Sequence, residues 1–320
     1  MPPPLPSPET TGAPSSGPGP SRATGLLKLA RPRQWIKNLL VFVAPAAAGV
    51  LFHSNVLVHA VYAFGIFCLA ASGTYFLNDA IDVEVDRSHP TKRNRPVASG
   101  AVPVPLAITV GLLLLVVAIV LAVLACGWHL AIVMAAYAAI NVAYSLGLKN
   151  EPILDLVAVS SGFVLRAIAG GVATAVPLSN WFLIVTSFGS LLIVTGKRSG
   201  EKQLLAVDGV ATNPADGPMR VTLGLYTDTF LRSVRTMAVA VTITAYCLWA
   251  FERAGEVHHG HDPVWFQLTI IPLVIALLHV TRLLDGGGGA APEELAIHDH
   301  RLQIYGLSWV VLFMIGAYVA

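Results

Sequence analysis

Charge is scarce in this sequence. Asp, Glu, Lys and Arg make up 12% of its 320 residues, about half the share found in soluble globular domains. Hydrophobic residues account for 55%, and mean hydropathy is +0.69. A water-soluble domain is excluded. Cysteine is also scarce: Cys68, Cys126 and Cys247 lie inside apolar runs at no metal-ligand spacing. They read as small buried hydrophobes, with no disulfide framework and no zinc site. The formal net charge is only +2, and no nucleic-acid partner is expected. A secretory signal is missing too. Residues 1–24 are rich in Pro, Ser and Gly, without a charged start followed by an apolar core, so the first apolar block stays as a membrane span. Such a tail cannot bury enough surface to offset its chain entropy, and it is expected to be disordered and cytoplasmic. No further linker and no internal repeat interrupts residues 25–320. That stretch reads as one membrane domain, and the missing repeat weighs against transporter folds built from duplicated halves.

What the chain has in abundance is apolar length. Nine blocks, each roughly long enough to cross a bilayer as an α-helix, fall near 34–52, 56–78, 105–126, 129–148, 153–175, 180–196, 232–252, 264–283 and 303–320. The expected fold class is therefore an all-α integral membrane bundle of nine transmembrane helices. Of the 20 Lys and Arg, all but Arg166 and Arg253 lie before the first block or near the even-to-odd connections. The positive-inside rule then places the N-terminus and the long polar loops in the cytoplasm, with the chemistry on that face of the cell (inner) membrane. The stretch 198–231 is expected to carry a short surface helix, and Gly286–Gly289 a flexible turn. His258-His259-Gly-His261 falls on the outer side and is left out of the site.

At the inner end of the second block the chain reads Tyr75-Phe-Leu-Asn78-Asp79-Ala-Ile-Asp82-Val-Glu84-Val-Asp86. With Asn78 as zero and about 100° per residue, Tyr75 falls near 60°, Asp82 near 40°, Asp86 near 80° and Asp79 near 100°. Glu84, near 240°, stands on the other side and is expected not to be a ligand. Three crowded carboxylates repel one another and need a compensating cation. A hard cation with few protein ligands and phosphate oxygens in its shell points to Mg²⁺. The run Arg87-Ser-His-Pro-Thr-Lys92-Arg93-Asn-Arg95 follows directly. It is either topology signal or a phosphate-binding segment, and its place beside the acidic cluster favours phosphate.

Cations continue at membrane depth. Asp155 and Arg166 are 11 residues apart in the fifth block, three turns, and so share a face. An intramembrane Arg either pairs with a carboxylate from another helix or meets an anionic ligand. Lys149 at the end of the fourth block and Lys37 before the first extend the pattern. With Lys92 and Lys197 they suggest more phosphate groups than a single diphosphate supplies.

The motif Asn78-Asp79-x-x-Asp82-x-x-x-Asp86 followed by Lys92-Arg93-Asn-Arg95-Pro resembles the first Asp-rich motif of the UbiA prenyltransferase superfamily. The resemblance implies a helical bundle with a cytoplasm-facing, Mg²⁺-dependent diphosphate site and a lateral opening to lipid. One departure matters. Where the superfamily carries a second Asp-rich motif, this chain has Thr195-Gly-Lys197-Arg198-Ser-Gly-Glu201, which puts a two-metal prenyl diphosphate site in doubt.

Further stretches are similar to the branch of the superfamily that transfers phosphoribosyl groups. They are Arg31-Pro-Arg33-Gln-Trp35-Ile-Lys37-Asn38, Leu165-Arg166-Ala-Ile-Ala-Gly170-Gly171, Pro177-Leu-Ser-Asn-Trp181-Phe and Trp249-Ala-Phe-Glu252-Arg253. That likeness implies phosphoribosyl diphosphate (PRPP) as donor and decaprenyl phosphate as acceptor, in supply of a cell-wall arabinan precursor. It also implies roles: Asn78, Asp79, Asp82 and Asp86 on Mg²⁺; Tyr75, Lys37, Lys92, Lys197 and Arg198 on PRPP; Lys149 and Arg166 on the lipid phosphate. A prenyltransferase using a prenyl diphosphate donor is the alternative within the family, and a non-catalytic transporter or lipid-binding protein the alternative outside it. A homo-oligomer, a trimer included, stays open.

Overall fold

Glycine and proline set the boundaries between helices. In the computed structural model Pro103 precedes α5 (Val104–Cys126), which stops at Gly127 with φ 87°. That left-handed conformation is open to glycine at little cost, and α6 (Trp128–Leu146) starts at once on the return path. The described residues are 22–89, 91–207, 221–256, 264–286, 295 and 297–319. The remaining helices are α1 (Arg22–Ala30), α2 (Val43–Ala47), α3 (Ser54–Ile81), α4 (Val83–Ser88), α7 (Pro152–Thr174), α8 (Asn180–Val207) and α9 (Val221–Leu225). They continue with α10 (Asp228–Glu256), α11 (Val264–Leu268), α12 (Ile270–Asp285) and α13 (His300–Met314).

Eight helical stretches among the described residues are long and apolar enough to cross a membrane, and they correspond to eight of the nine expected blocks. The block at 34–52 differs. It forms a 3₁₀ segment, Pro32–Phe42, that passes into the short α2. Pro45 lacks an N–H, and Gly49 at φ 73° ends the helical path. α1 begins at Arg22, inside the boundary expected for the tail, whose residues 1–21 lie outside the described residues. So do the His258–His261 cluster and most of the Gly286–Gly289 turn. Of the expected surface helix over 198–231, α8 continues to Val207 and α9 covers Val221–Leu225.

Close crossings hold the first half together. A Cβ on Gly73 would lie 2.8 Å from the Gly111 carbonyl oxygen, so α3 and α5 meet backbone to backbone. A Cβ on Gly170 would stand 1.9 Å from the Val41 carbonyl oxygen, which shows how tightly the 3₁₀ segment lies on α7. Around these contacts Phe67, Leu115, Met134, Tyr137 and Ala169 form the largest apolar core among the described residues. Ion pairs between helix ends fix which ends lie together. Asp82 meets Lys149 after α6, Asp155 at the start of α7 meets Arg198 on α8, Lys202 meets Asp228, and Arg235 meets Asp285. All of these belong to one end of the bundle, the end that carries the Asp-rich motif.

Candidate active site

Asp82 ends α3 with φ −86° and ψ 6°, and α4 follows immediately. The junction does not break the register. The Asp82 and Asp86 N–H groups still donate to carbonyls four residues back, at 2.9 and 2.8 Å. The motif therefore keeps its helical spacing while the chain turns into the basic loop.

Asp79 and Asp86 are buried and Asp82 is half-buried, and each of the three meets at least one cation. Asp79 is 1% exposed; its Oδ1 accepts from Arg31 Nη2 at 2.6 Å and from Arg95 Nη1 at 3.2 Å. The same Arg95 nitrogen donates to Asp86 Oδ2 at 2.7 Å, so two motif carboxylates converge on one guanidinium. Burial pushes the Asp86 carboxyl above its ordinary range, with Arg95 beside it pulling the other way. Asp82 pairs with Lys149. Asn78 Oδ1 accepts from the Ser145 hydroxyl at 3.0 Å, which ties the motif to α6. The half-buried Tyr75 ring lies under Arg31, 4.7 Å from the guanidinium carbon to the centroid. Glu84 shares none of these partners; its side chain is 80% exposed and pairs with Arg87 at 2.9 Å.

Arg31 takes an unusual backbone conformation to reach Asp79. It sits at φ 51°, ψ 59°, the left-handed region that residues with a Cβ seldom adopt. The turn is held by the Arg31 N–H on the Lys28 carbonyl at 3.3 Å and the Gln34 N–H on the Arg31 carbonyl at 2.9 Å. Trp35 Nε1 on Ser72 Oγ at 3.2 Å then fastens the segment to α3. Lys37 is half-buried along the same 3₁₀ segment, and Lys92 is half-buried at the head of the turn Lys92–Asn94. His89 opens that loop, and burial together with Lys92 depresses its imidazole pKa.

A second buried network stands beside the first. Arg198 grips Asp155 with both edges of a fork, Nε to Oδ2 at 2.6 Å and Nη2 to Oδ1 at 2.7 Å. The Tyr144 hydroxyl donates to Asp155 Oδ1 at 2.9 Å and the Tyr226 hydroxyl to Oδ2 at 3.2 Å. Burial and the neighbouring Asp155 carboxylate raise the Tyr226 pKa, so that phenol stays a donor. Asp155 thus pairs with Arg198, and Arg166 on the same helix has other partners. Lys197, next to Arg198, is half-buried.

Arg166 is 6% exposed, and its three nitrogens donate to neutral oxygens. Nε reaches Asn38 Oδ1 at 2.7 Å, Nη2 the Tyr137 hydroxyl at 3.0 Å, and Nη1 the Gly162 carbonyl. Phe67 and Tyr137 place their rings 5.5 and 5.0 Å from the guanidinium carbon. Its charge is balanced by ring faces and dipoles, and no carboxylate is among these partners.

The structure therefore gathers Asn78, Asp79, Asp82, Asp86, Tyr75 and Lys149 at one place, and sets Arg198 and Arg166 into networks of their own. Sequence reasoning gave no role to Arg31, Ser145, Asn38 or Tyr137, and it placed Arg95 only within a run expected to bind phosphate. Arg31 and Arg95 were visible as cations flanking the first block and the motif, but a positive φ at Arg31 has no signature in residue type. Among the described residues no three His, Cys, Asp or Glu side chains converge on one point. A cation held here would need oxygens from a bound ligand as well.

Fold and site define a multi-pass membrane protein that concentrates acidic and basic side chains at one end of a helical bundle. The model of the UbiA prenyltransferase family matches residues 39–200, and the chain belongs to that family. It is 45% identical to the decaprenyl-phosphate phosphoribosyltransferase of Mycolicibacterium smegmatis, over 93% of each chain. It is 42% identical to the protein of the same name from Corynebacterium glutamicum, over 93% of this chain and 88% of that one. Its fold is similar to that of a UbiA homolog from Archaeoglobus fulgidus bound to GPP and Mg²⁺, with a TM-score of 0.63 at 15% identity over 91% of this chain and 98% of the other.

Proposed function

We propose that this enzyme transfers the 5-phosphoribosyl group of PRPP to decaprenyl phosphate and releases diphosphate, as a supplier of cell-wall arabinan precursor. The observation that carries the reading is the matched set of charges at the motif end. Asp79, Asp82 and Asp86 are each held by Arg31, Arg95 or Lys149, and Lys197 with Arg198 stands where the family's second acidic motif would be. Such a site meets several phosphate groups with cations and keeps its carboxylates for one metal-bound diphosphate. The names of the relatives above agree with it.

The donor set suits Mg²⁺, which takes hard oxygens from a few carboxylates and from substrate phosphates. Asn78 and Asp82 would be its first ligands, with Asp79 and Asp86 binding directly or through water. When bound, the ion would supply charge neutralisation on the departing diphosphate. The chain's residues do the rest. Lys37, Lys92, Lys197 and Arg198 hold donor phosphates, Tyr75 flanks the donor, and Lys149 and Arg166 orient the lipid phosphate, whose tail lies in the bilayer. An acceptor phosphate oxygen forms the bond to ribose C1 as the C1–O bond to diphosphate breaks, and the leaving group takes the electron pair. The acceptor is already an anion at pH 7, so no general base is needed. Attack from the face opposite the leaving group inverts C1. The sidedness of Lys and Arg supports a site on the cytoplasmic face of the cell membrane.

The test is a donor assay on purified protein with Mg²⁺, decaprenyl phosphate and either PRPP or a prenyl diphosphate. Diphosphate release with PRPP supports the reading. Turnover with the prenyl diphosphate alone would replace it with ordinary prenyl transfer.

A further inference from the structure

The turn Lys92–Asn94 carries the basic residues that follow the Asp-rich motif, and the first N–H groups of a helical turn need acceptors from outside it. Thr91, in the capping position, supplies no side-chain bond to them among the described residues. His89 supplies the acceptors instead. Its Nδ1 accepts from the Thr91 N–H at 3.3 Å and from the Lys92 N–H at 3.4 Å, and its carbonyl accepts from the Arg93 N–H at 3.2 Å. The Thr91 hydroxyl stands 3.2 Å from the same ring nitrogen.

These donors fix the state of the ring. A backbone N–H can only donate, so Nδ1 holds a lone pair and the ring proton sits on Nε2. His89 thus takes the part that Asn or Asp plays in a short turn, where a side-chain oxygen accepts from the backbone two or three residues on. One lone pair is shared among several donors, so each bond is long and weak by itself. The residue is anchored as well, because its own N–H donates to the Asp86 carbonyl at 3.3 Å. Its main chain is therefore fastened to the motif and its side chain to the basic turn. The cations of that turn act back on the motif. Arg95, whose N–H meets the Lys92 carbonyl at 2.9 Å, bridges Asp79 and Asp86, and the charge of the half-buried Lys92 also acts on Asp86. Two carboxylates hold Arg95 in place, whereas the direction in which Lys92 leaves the turn is set where the turn begins, at the His89 ring.

We propose that His89 is a positioning residue of the phosphate site: its Nδ1 lone pair starts the turn Lys92–Asn94 and thereby presents Lys92 to the diphosphate of the donor. The acceptor is what counts, and no proton is transferred. The inference rests on the reading that Lys92 holds a donor phosphate, and it is independent of which group that donor transfers.

The experiment is calorimetric binding of diphosphate, in saturating Mg²⁺, to the purified full chain, with a melting temperature recorded for each variant. Diphosphate is common to PRPP and to a prenyl diphosphate, so the outcome is separate from that of the donor assay. His89→Ala removes the acceptor and is expected to weaken binding by about threefold to tenfold, the scale of one modest hydrogen bond. His89→Asn sets Oδ1 where Nδ1 stands and is expected to stay within about twofold of the wild type, as a residue that forms such turns by itself. His89→Gln carries its amide out toward the place of Nε2 and is expected to behave like the alanine variant. Lys92→Met weakens binding in its own right, and His89→Ala added to it is expected to weaken it little further, because both changes act through one ammonium group. Unchanged affinity in His89→Ala overturns the proposal, and a lowered melting temperature with full affinity does so too by marking a purely structural turn. So does an Asn variant that binds no better than Gln, and so does additive loss in the double variant. A wild type that binds no diphosphate refutes the diphosphate site itself and takes this role with it. If His89→Ala fails to fold, Asn against Gln decides, and equal affinities reject the role.

Discussion

Arg31 reaches across 48 residues of sequence to place Nη2 2.6 Å from Asp79 Oδ1, from a left-handed backbone position directly before Pro32. A residue with a Cβ holds that conformation only where surrounding contacts enforce it, and here the Tyr75 ring and the Asp79 carboxylate both do. Arg31→Gln removes the charge-assisted bond and leaves Asp79 with Arg95 alone. The expected result is a fall in kcat/KM for the phosphorylated donor of about tenfold to a hundredfold, with Arg31→Lys intermediate. A lower melting temperature with unaltered kcat/KM would show that Arg31 only staples α1 to α3.

The helical spacing of the motif separates Asp82 from Glu84 by more than sequence distance. Asp82 faces Lys149, and Glu84 points into solvent beside Arg87. Asp82→Asn should abolish turnover, and Glu84→Gln should leave it within about twofold, as expected for a surface substitution away from the site. Comparable losses in the two variants, measured at saturating donor and Mg²⁺, would sink the one-face argument.

Period and charge carried most of the architecture. Eight blocks of sustained hydropathy became eight helical spans among the described residues, because a run of that length satisfies its backbone in lipid by coiling on itself. At 34–52 the helical path departs from a regular α-helix. Its residues are apolar enough, but Pro45 and the close approach of Val41 to Gly170 favour a tighter, broken path, and those tertiary contacts leave no periodic trace. Within the site, Asn78, Asp79, Asp82 and Asp86 could be grouped by angle, whereas the choice of cation for each carboxylate could not. That choice depends on which helices are neighbours. The pairing of Asp155 with Arg198, and of Arg166 with Asn38, illustrates the point: Asp155 and Arg166 share a face, but each finds its partner on another segment.

Arg166 offers a test of where binding ends and scaffolding begins. Its nitrogens hold Asn38 on the 3₁₀ segment and Tyr137 on α6, one residue from Lys37. Arg166→Lys keeps the charge but cannot span both partners. The expected outcome is a rise of about tenfold in KM for the lipid phosphate, accompanied by some loss of thermal stability. An unchanged KM at reduced melting temperature would restrict Arg166 to holding the two elements together.

Asp299 gives a pH signature through contacts that involve none of the motif carboxylates. Its carboxylate caps α13 by accepting from the Leu302 N–H at 2.8 Å and also meets His279 Nε2 at 3.0 Å. The Leu302 N–H, with His279 beside it, holds the Asp299 pKa below the ordinary carboxylate value. A depressed acid contributes stability that is present above the unfolded pKa, near about 3.9, and disappears as pH falls through the lower folded value. Melting temperature should therefore fall on acidification below about pH 4, and that limb should be shallower in Asp299→Asn, which can still cap without a charge. Identical acid limbs would remove Asp299 from the account.

Gly170 provides the sharpest test of the packing that carries Lys37 and Asn38. A methyl group there would meet Val41 backbone atoms, with the carbonyl oxygen at 1.9 Å and the carbonyl carbon at 2.8 Å, and backbone cannot swing aside as a side-chain tip can. Gly170→Ala must push the 3₁₀ segment off α7, at a cost of about 1–3 kcal/mol or more. Gly189→Ala, on α8 with nothing within 4 Å of the added carbon, should be neutral or stabilise by about 0.5–1 kcal/mol through helix propensity. Because the displaced segment holds Lys37 beside Asn38, Gly170→Ala should also raise the KM for the donor in the fraction that remains folded. Equal stability in the two alanine variants would mean that α7 and the 3₁₀ segment are not in backbone contact, and the link from Gly170 to Lys37 would fail with it.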